Sequence, residues 1–279
     1  MEYFNYNGKI YKDDVTVISV NSRGLRFGDG LFETLKSRSY ELQFADDHFV
    51  RLWKGMDLLQ FKIPVHFTAE NIKQQILKLL NKNDHKNIAR IRLTIFRGDG
   101  GLFDEINHIP HYLIQTWALP EDTGKWNSNG LLLDIYSDVK KSCDVLSNLK
   151  HNNFLPYVMA ALHAKKQKCN DAILLNNHER ICDTTIANIF LIKGDVIYTP
   201  SLDEGCIAGI MRKNILRQLV KDNLRVFEGE ITVDDLLNAD EVFLSNSIYN
   251  IRWVQRIGDK EYTNSITQKI YTSFLSTIS

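Results

Sequence analysis

A polar stretch near the middle of the chain, residues 120–130 (PEDTGKWNSNG), most constrains the fold because it separates two patterned halves. It contains proline and glycine and lacks apolar periodicity, which is typical of a linker. A chain of 279 residues is long for a single core and suits two modest domains. The sequence therefore predicts a small domain over residues 1–119, a linker over 120–129 and a larger domain over 130–279.

The residues before this stretch alternate as strands do, with two helical segments among them. Asn7-Gly8 between aromatic flanks predicts a hairpin turn. Apolar positions at helical spacing predict two helices, the first capped by Asp46 or Asp47 and the second by Thr68. The other predicted elements are a hairpin over 3–11, a glycine-punctuated loop over 22–30, and strands at 15–19, 31–36, 40–44, 88–96 and 112–119.

Beyond the linker, short apolar strands again alternate with helices. The sequence therefore predicts an α+β protein, a two-domain α/β arrangement with a sheet in each domain. Helices are predicted at 154–168, at 209–223 and from Thr232, and strands at 131–136, 171–175, 186–192, 196–199, 224–228, 241–245 and 253–257.

Charge and composition exclude several classes of function. Lys plus Arg and Asp plus Glu both number 34, so the charge balance favours neither nucleic acid nor an anionic membrane surface as a partner. No apolar run reaches the roughly 18 residues that span a bilayer, and the N-terminus lacks the layout of a signal peptide. The four cysteines are scattered, without the spacing of a zinc site. These features predict a cytoplasmic protein with reduced thiols and no metal.

Three separated features would suit one cofactor. Lys150 lies in the polar segment SNLKHNN, Asp183 stands at the entry to an apolar strand, and Gly209-Ile210-Met211 opens a helix. Pyridoxal phosphate (PLP) has three groups that these features would suit. Its aldehyde would react with a lysine amine, its pyridine nitrogen would be kept cationic by an acid, and its phosphate would bind at a helix N-terminus. The pattern therefore predicts PLP, linked to Lys150 as a Schiff base.

Each of these residues also has an ordinary structural role. A loop lysine is usually a solvated charge, an aspartate at a strand entry usually bonds its own backbone, and many helices begin with glycine. Arg51 on the first helix would add a guanidinium to the phosphate, or would form a surface ion pair with Asp47 or another acid.

Six motifs follow one another in order along nearly the whole chain. They are Arg23-Gly24…Phe27-Gly28-Asp29-Gly30-Leu31-Phe32-Glu33, His48-x-x-Arg51-Leu52, Leu149-Lys150, Asp183…Ala187-Asn188-Ile189-Phe190, Thr199-Pro200…Gly209-Ile210-Met211-Arg212 and Ala239-Asp240-Glu241-Val242-Phe243. With these motifs the chain closely resembles the class-IV aminotransferases, the fold-type-IV PLP enzymes. The ordered set is far more specific than any one motif.

The resemblance implies a fold and a site. The fold is a small N-terminal α/β domain and a larger C-terminal domain with a barrel-like sheet, with PLP in the cleft between them, in a homodimer whose subunits complete each other's pockets. Asp183 falls where the family usually has glutamate, which is one methylene longer. Matched position by position, the implied catalytic residue is Lys150 and the implied cofactor contacts are Arg51, Lys150, Asn153, Asp183, Ile210, Met211 and Ser247.

Within the family the motifs indicate more than one activity. Gly-Ile-Met-Arg at 209–212 and Arg-Gly-x-Gly-Gly at 97–101 resemble 4-amino-4-deoxychorismate lyase. An asparagine three residues after the lysine, here Asn153, is similar to the pattern of the lyases and the D-amino-acid transaminases. Leu155 stands where branched-chain enzymes tend to have tyrosine. Leu102-Phe103 replace an arginine of the lyases and D-amino-acid enzymes, so the substrate carboxylate needs another partner.

The candidates for substrate contacts are Arg26, Phe32, Arg90 and Arg92. Strand alternation puts Arg90 and Arg92 on the same face, which would equally suit a solvated face paired with acids. The expected function is a PLP enzyme acting on an amino acid or keto acid, in which Lys150 also moves the Cα proton. The resemblance leans to the lyase, which forms p-aminobenzoate and pyruvate in folate biosynthesis. The alternatives are a transaminase of branched-chain or D-amino acids, a PLP-binding or regulatory protein without turnover, and a non-enzymatic α/β domain.

Overall fold

The computed structural model describes residues 2–104 and 106–276, and the chain divides into two compact units. The first unit comprises the residues up to Thr123 together with Lys150–Asn153. The second comprises Gly124–Leu149 and the residues from Phe154 onward. The domain boundaries expected at 119 and 130 stay a prediction.

The first unit is built on an antiparallel sheet. Its strands and helices are β1 (Tyr3–Tyr6), β2 (Lys9–Lys12), α1 (Arg23–Phe27), β3 (Gly30–Arg38), β4 (Glu41–Leu42), α2 (Ala45–Leu58), α3 (Ala69–Lys82), β5 (Ile88–Phe96) and β6 (His111–Ala118). The strand order is β2-β1-β6-β5-β3-β4, and each neighbouring pair is antiparallel.

Alternating side chains divide the two faces of this sheet. Leu35 and Ile91 are fully buried against apolar residues of α2 and α3, among them Leu52 and Ile76. The intervening residues of β5 include Arg90 and Arg92, which are more exposed. One face of the sheet therefore forms the core, and the other carries polar and aromatic groups.

The second unit is built on a mixed sheet. Its elements are β7 (Leu131–Lys141), α4 (Leu155–Lys166), β8 (Asp171–Asn176), β9 (Ile181–Thr184), β10 (Asn188–Lys193), β11 (Val196–Pro200), a 3₁₀ turn (Leu202–Glu204), α5 (Ile210–Lys221), β12 (Arg225–Gly229), α6 (Val233–Leu237), β13 (Glu241–Asn246), β14 (Asn250–Ile257), β15 (Lys260–Glu261) and α7 (Ser265–Leu275).

The strands of this sheet follow the order β12-β11-β10-β13-β14-β7-β8-β9, with β15 paired to β14. Helix α4 forms the crossover between the parallel strands β7 and β8, as parallel pairing requires. The sheet curls into a half-barrel around buried Ile189, Val242 and Val254. Two sheets, one of them curled, confirm the predicted α+β architecture with a barrel-like second sheet.

Several local predictions are wrong. Residues 15–19 form no strand, and a short helix, α1, lies inside the loop predicted over 22–30. Phe44, in the left-handed region at φ 52°, precedes α2, so Asp46 and Asp47 lie in its first turn instead of capping it. Carboxylates in the first turn still stabilise the helix, because they lie near the positive end of its dipole. The sequence patterns do not predict the short strand β9 or the final helix α7.

Within residues 2–104 and 106–276, none of the helices has the length and apolar character needed to cross a membrane.

Candidate active site

The segment that carries Lys150 is an added edge of the first unit's sheet. The backbone N–H of Phe32 donates to the carbonyl of Lys150 at 2.8 Å, and the N–H of Asn152 donates to the carbonyl of Gly30 at 2.9 Å. His151 forms an antiparallel bridge with Leu31 between them. These bonds fix the backbone of the lysine against β3, and its side chain is half-buried.

Phe32 is contacted by two cations. The Nζ of Lys150 lies 4.6 Å from the centroid of the Phe32 ring, and the Cζ of Arg92 lies 3.7 Å from it. Both distances fall within the range of cation–π attraction. A lysine and an arginine therefore lie on one aromatic residue, and all three were predicted site residues.

Arg90 and Arg92 share a face of β5, as predicted, because the flanking Ile91 and Leu93 are fully buried. Arg92 bonds the hydroxyl of Thr94 at 3.2 Å, and Arg90 stacks on Trp117. In the described residues no carboxylate forms an ion pair with either arginine, so this face is not paired with acids, although Arg90 is exposed to solvent. A role of either arginine in substrate binding stays a prediction. Burial, reinforced by the charge of Arg90, lowers the pKa of Arg92.

Arg51 is held by a buried acid. Its Nε and Nη2 donate to the two carboxylate oxygens of Glu33 at 2.8 and 2.5 Å, and His48 Nδ1 lies 2.7 Å from Glu33 Oε2. Burial would raise the pKa of Glu33, but Arg51 and His48 outweigh it and lower the pKa to about 2. Burial lowers the pKa of His48, against the opposing charge of Glu33. The ion pair that Arg51 forms with Glu33 thus lies within the core of the unit and not at its surface.

The glycine-rich loop approaches the lysine segment closely. Gly28 ends α1 with φ 63°, and a Cβ there would lie 2.4 Å from Oδ1 of Asn153. Only glycine combines this backbone angle with this contact. The exposed Arg26 stacks on Phe27 at 5.0 Å. Asn153 therefore packs on the backbone of this loop, and Arg26 faces solvent.

In the second unit Asp183 on β9 accepts several hydrogen bonds. Lys141 Nζ, the Tyr157 hydroxyl and the Ile207 N–H donate to Oδ2 at 3.1, 3.0 and 2.9 Å, and Asn188 Nδ2 donates to Oδ1 at 2.9 Å. The side chain is almost entirely buried. The sequence patterns do not identify Lys141 and Tyr157 as partners of Asp183, and Asn188 appears only as part of a motif.

The electrostatics of this cluster follow from its burial. Burial alone would lower the pKa of Lys141, but the charge of Asp183 outweighs it and raises the pKa above its ordinary value. Burial, with the Asp183 charge added, raises the pKa of Tyr157 well above its ordinary value. Lys141 and Asp183 therefore form a buried ion pair, and Tyr157 stays a neutral donor.

Helix α5 begins with the features of an anion site. Its N-cap is Gly209, its first turn carries no acid, and no side chain of the described residues caps it. The first amides of a helix have no partner within the helix, and they lie at the positive end of its dipole. Ile210 and Met211 occupy these positions. Ser247 lies half-buried in the turn after β13.

These residues fit PLP chemically. The first unit presents a lysine amine, and the second presents an uncapped helix N-terminus suited to a phosphate dianion. The hydroxyl of Ser245, on β13 opposite Asn188, is buried without a hydrogen-bond partner among the described residues. A buried hydroxyl of this kind is rare in a folded chain unless a ligand or water uses it.

The predicted site residues divide between the units. Those of the first unit are Arg26, Phe32, Arg51, Arg90, Arg92, Lys150 and Asn153, and those of the second are Asp183, Ile210, Met211 and Ser247. Lys150, Phe32 and Arg92 form one contacting group. Gly209, which precedes Ile210, lies against Asn188, the partner of Asp183.

Comparison with known proteins identifies the family. The model of the family "Amino-transferase class IV" matches residues 30–257. The aminodeoxychorismate lyase of Vibrio harveyi is 28% identical, over 88% of this chain and 89% of the lyase. The D-alanine aminotransferase of Bacillus licheniformis is 26% identical, over 87% of this chain and 83% of that enzyme.

A solved structure shares the fold. The branched-chain aminotransferase of the archaeon Thermoproteus uzoniensis, crystallised with norvaline, superposes with a TM-score of 0.88 at 21% identity, and the match covers 99% of this chain and 94% of that enzyme. The three relatives differ in activity, and none is similar enough to select one. What they share is the family: the chain is an enzyme of the class IV aminotransferases, a family that depends on PLP.

Proposed function

We propose that this enzyme binds PLP through Lys150 and acts on an amino acid or a keto acid. The observation that carries the proposal is the half-buried Lys150 fixed by backbone hydrogen bonds to β3, with its amine on Phe32. When bound, PLP would supply an aldehyde for that amine and a ring that stabilises negative charge on the substrate Cα. Lys150, once released as a free amine, would take the proton from Cα.

The other residues bind and orient. The amides of Ile210 and Met211 would hold the phosphate, with Arg51 and Ser247 as further donors. Asp183 would face the ring nitrogen, and Asn153 would contact the ring. Arg92 is the best candidate for the substrate carboxylate, because it has no carboxylate partner in the described residues and shares Phe32 with Lys150. Arg90 and Arg26 are more exposed and would play lesser parts.

For the activity we favour 4-amino-4-deoxychorismate lyase, which would place the enzyme in folate biosynthesis. Support comes from Gly-Ile-Met-Arg at 209–212, from the Arg-Gly-x-Gly-Gly turn and from the similarity to the Vibrio enzyme. The second candidate is a transaminase of D-amino acids, favoured by Asn153 and the Bacillus relative, or of branched-chain amino acids. A cytoplasmic location suits either activity.

We also propose a homodimer. Leu155, Val158, Met159 and Leu162 of α4 are 72, 47, 42 and 55% exposed, and their spacing puts them on one face of the helix. An apolar row of this kind is typical of an interface. A second copy of the chain is the proposed occupant, because members of the family are typically dimeric.

The first test is covalent. Purified protein mixed with PLP is treated with borohydride, digested and examined by mass spectrometry. We expect the reduced adduct on Lys150 and none in Lys150→Ala, while Lys140→Ala, which removes a lysine whose partner Glu179 is exposed, should label like the wild type. An adduct that persists in Lys150→Ala would show that the lysine is wrongly assigned.

A substrate panel then separates the activities. Release of p-aminobenzoate and pyruvate from aminodeoxychorismate would identify a lyase. Conversion of D-alanine or leucine that depends on an added keto acid would identify a transaminase. Stable PLP binding without turnover of any of these substrates would contradict both candidates.

A further inference from the structure

One carboxylate, between two buried arginines, fixes the glycine-rich loop that precedes β3. Asp29 Oδ2 accepts from Arg23 Nε at 2.8 Å, and Asp29 Oδ1 accepts from Arg97 Nη1 at 2.5 Å. The side chains of Asp29, Arg23 and Arg97 are 13, 8 and 8% exposed, so solvent screens these two ion pairs little. Hydrogen bonds between charged partners are stronger than neutral ones. Asp29 therefore ties the start of α1 to the turn that follows β5.

Arg97 opens the Arg-Gly-x-Gly-Gly turn and has no contact assigned to it in the proposed function. Its Nη2 donates to the carbonyl of Leu59, and its Cζ lies 4.3 Å from the centroid of the Phe61 ring. From the other side, Arg23 donates through Nη1 to the carbonyl of Gly101. The guanidinium of Arg97 thus points at groups of its own unit, and the turn braces the loop before β3.

The loop held in this way supports residues 150–153, the lysine segment. Asp29 is flanked by Gly28 and Gly30, and both glycines contact that segment. The Asn152 N–H donates to the carbonyl of Gly30 at 2.9 Å, and a Cβ on Gly30 would lie 2.7 Å from the Nδ2 of Asn152. Asn153 packs on Gly28 in the same way. A shift of Asp29 would therefore move the residues that directly follow the lysine.

We propose that Asp29 is a positioning residue for Lys150. By bridging Arg23 and Arg97, it holds the loop on which the lysine segment rests, and so it fixes the amine. A fixed amine reaches an aldehyde at a lower entropic cost than a mobile one. The inference rests on the proposed function and deepens it, because it names a residue that prepares the amine without touching cofactor or substrate.

The first test is hydrogen–deuterium exchange of the whole chain equilibrated with PLP. In Asp29→Asn we expect the Asn152 amide to exchange about tenfold faster or more, because two charge-assisted hydrogen bonds are weakened. The Leu93 amide, in the centre of β5, should keep its wild-type rate. Asp57→Asn, which changes an exposed acid of α2, is the matched control and should alter neither amide.

Two results of this exchange experiment would overturn the proposal. An unchanged rate at Asn152 in Asp29→Asn would show that the loop does not hold the lysine segment. Equally faster exchange at Asn152 and Leu93 would show that Asp29 only stabilises the unit as a whole.

The second test measures the amine itself. The PLP concentration that half-saturates the borohydride-reduced adduct on Lys150 should rise about tenfold in Asp29→Asn. Asp29→Glu, which keeps the charge on a longer side chain, should recover part of that loss. Half-saturation at the wild-type concentration in Asp29→Asn would contradict the positioning role, even if Asn152 exchanges faster.

Failure of the proposed function would look different. Wild-type protein that forms no reduced adduct on Lys150 at any PLP concentration would contradict the proposed function, and the positioning role would fall with it. Wild-type protein that forms the adduct, with Asp29→Asn equal to it in both tests, would overturn the positioning role alone. If Asp29→Asn does not fold, Arg23→Gln, which leaves the Arg97 pair in place, replaces it and carries the same expectations.

Discussion

Glu33 illustrates how a buried acid can direct an arginine. It lies on the core face of β3 and is 1% exposed. Arg51 donates hydrogen bonds to both of its carboxylate oxygens, and His48 is hydrogen-bonded to one of them. A bidentate pair fixes the plane of a guanidinium, which a single contact with lysine would not do. Glu33 therefore sets the orientation in which Arg51 would present its other N–H groups to a phosphate.

Glu33 should also link stability to pH. Its pKa is about 2 in the folded chain against an ordinary 4.5, so the folded state favours the ionised form. The lowered pKa stabilises the fold by about 3 kcal/mol above pH 4.5, and this contribution is lost as the pH falls through about 2. We expect Glu33→Gln to be destabilised by roughly that amount at pH 7, with a gap to the wild type that shrinks below pH 4.5.

Urea unfolding at pH 7 and at pH 3 measures this difference. The control is Glu179→Gln, which removes an acid from an exposed surface pair and should change stability little at either pH. A gap between Glu33→Gln and wild type that is the same at both pH values would contradict the assigned pKa.

At the scale of elements, local sequence patterns predict those helices and strands whose formation depends on neighbouring residues. The hairpin at Asn7-Gly8, the Thr68 cap of α3 and the alternation of β5 all follow from neighbouring residues. Helix α7 depends on distant ones: its amides at Ile266 and Thr267 donate to the carboxylate of Glu241, about 25 positions earlier. No local signal in the sequence marks that cap.

The candidate site shows the same division. The sequence predicts Lys150, Asp183 and the start of α5 as site residues because they lie in ordered motifs. Lys141 and Tyr157 were missed because their partner becomes a neighbour only when β7, β8 and β9 pair side by side with α4 packed on them. A lysine at the end of a strand carries no signal of that in the sequence.

Gly209 joins helix α5 to the hydrogen-bonded group around Asp183, because it lies against Asn188, which donates to Asp183. Its φ of −64° suits any residue, but a Cβ would lie 1.9 Å from Oδ1 of Asn188. Gly209→Ala should therefore push Asn188 away from Asp183 and the Ile207 carbonyl, at a cost of about 1–3 kcal/mol for lost buried hydrogen bonds. It should also weaken PLP binding.

A double-mutant cycle measured by urea unfolding tests this cause. In an Asn188→Ala background the clash disappears, so Gly209→Ala should cost much less there than in the wild type. Equal costs in the two backgrounds would show that the glycine is required for some other reason.

At the scale of the whole molecule, helix α4 has two unlike faces. One face packs Tyr157, Ala160 and Ala164 against the second unit's sheet, and the opposite face bears the exposed apolar row from Leu155 to Leu162. The packed face contributes to the Asp183 cluster through Tyr157. The exposed face is the one that the proposed second copy would cover.

Leu162→Glu tests the dimer. A charge in an apolar interface costs more than one at its rim, so we expect this variant to sediment as a monomer at concentrations where the wild type sediments as a dimer. Lys221→Glu, which reverses an exposed charge on helix α5 instead, should sediment like the wild type. Identical sedimentation of both variants and the wild type would contradict the proposed interface.

The lysine segment has a consequence for how the molecule is made. Lys150–Asn153 belong to the first unit, yet Lys150 lies 27 positions beyond Thr123, where the rest of that unit ends. The chain is synthesised from its N-terminus, so Gly30 and Phe32 are made well before residues 150–152. The hydrogen bonds between β3 and the lysine segment can form only after that later stretch has been synthesised. The contact between Phe32 and Lys150 joins residues far apart in sequence, which makes it slow to form. The amine proposed to bind the cofactor can therefore reach its place only when the nascent chain is already past its midpoint.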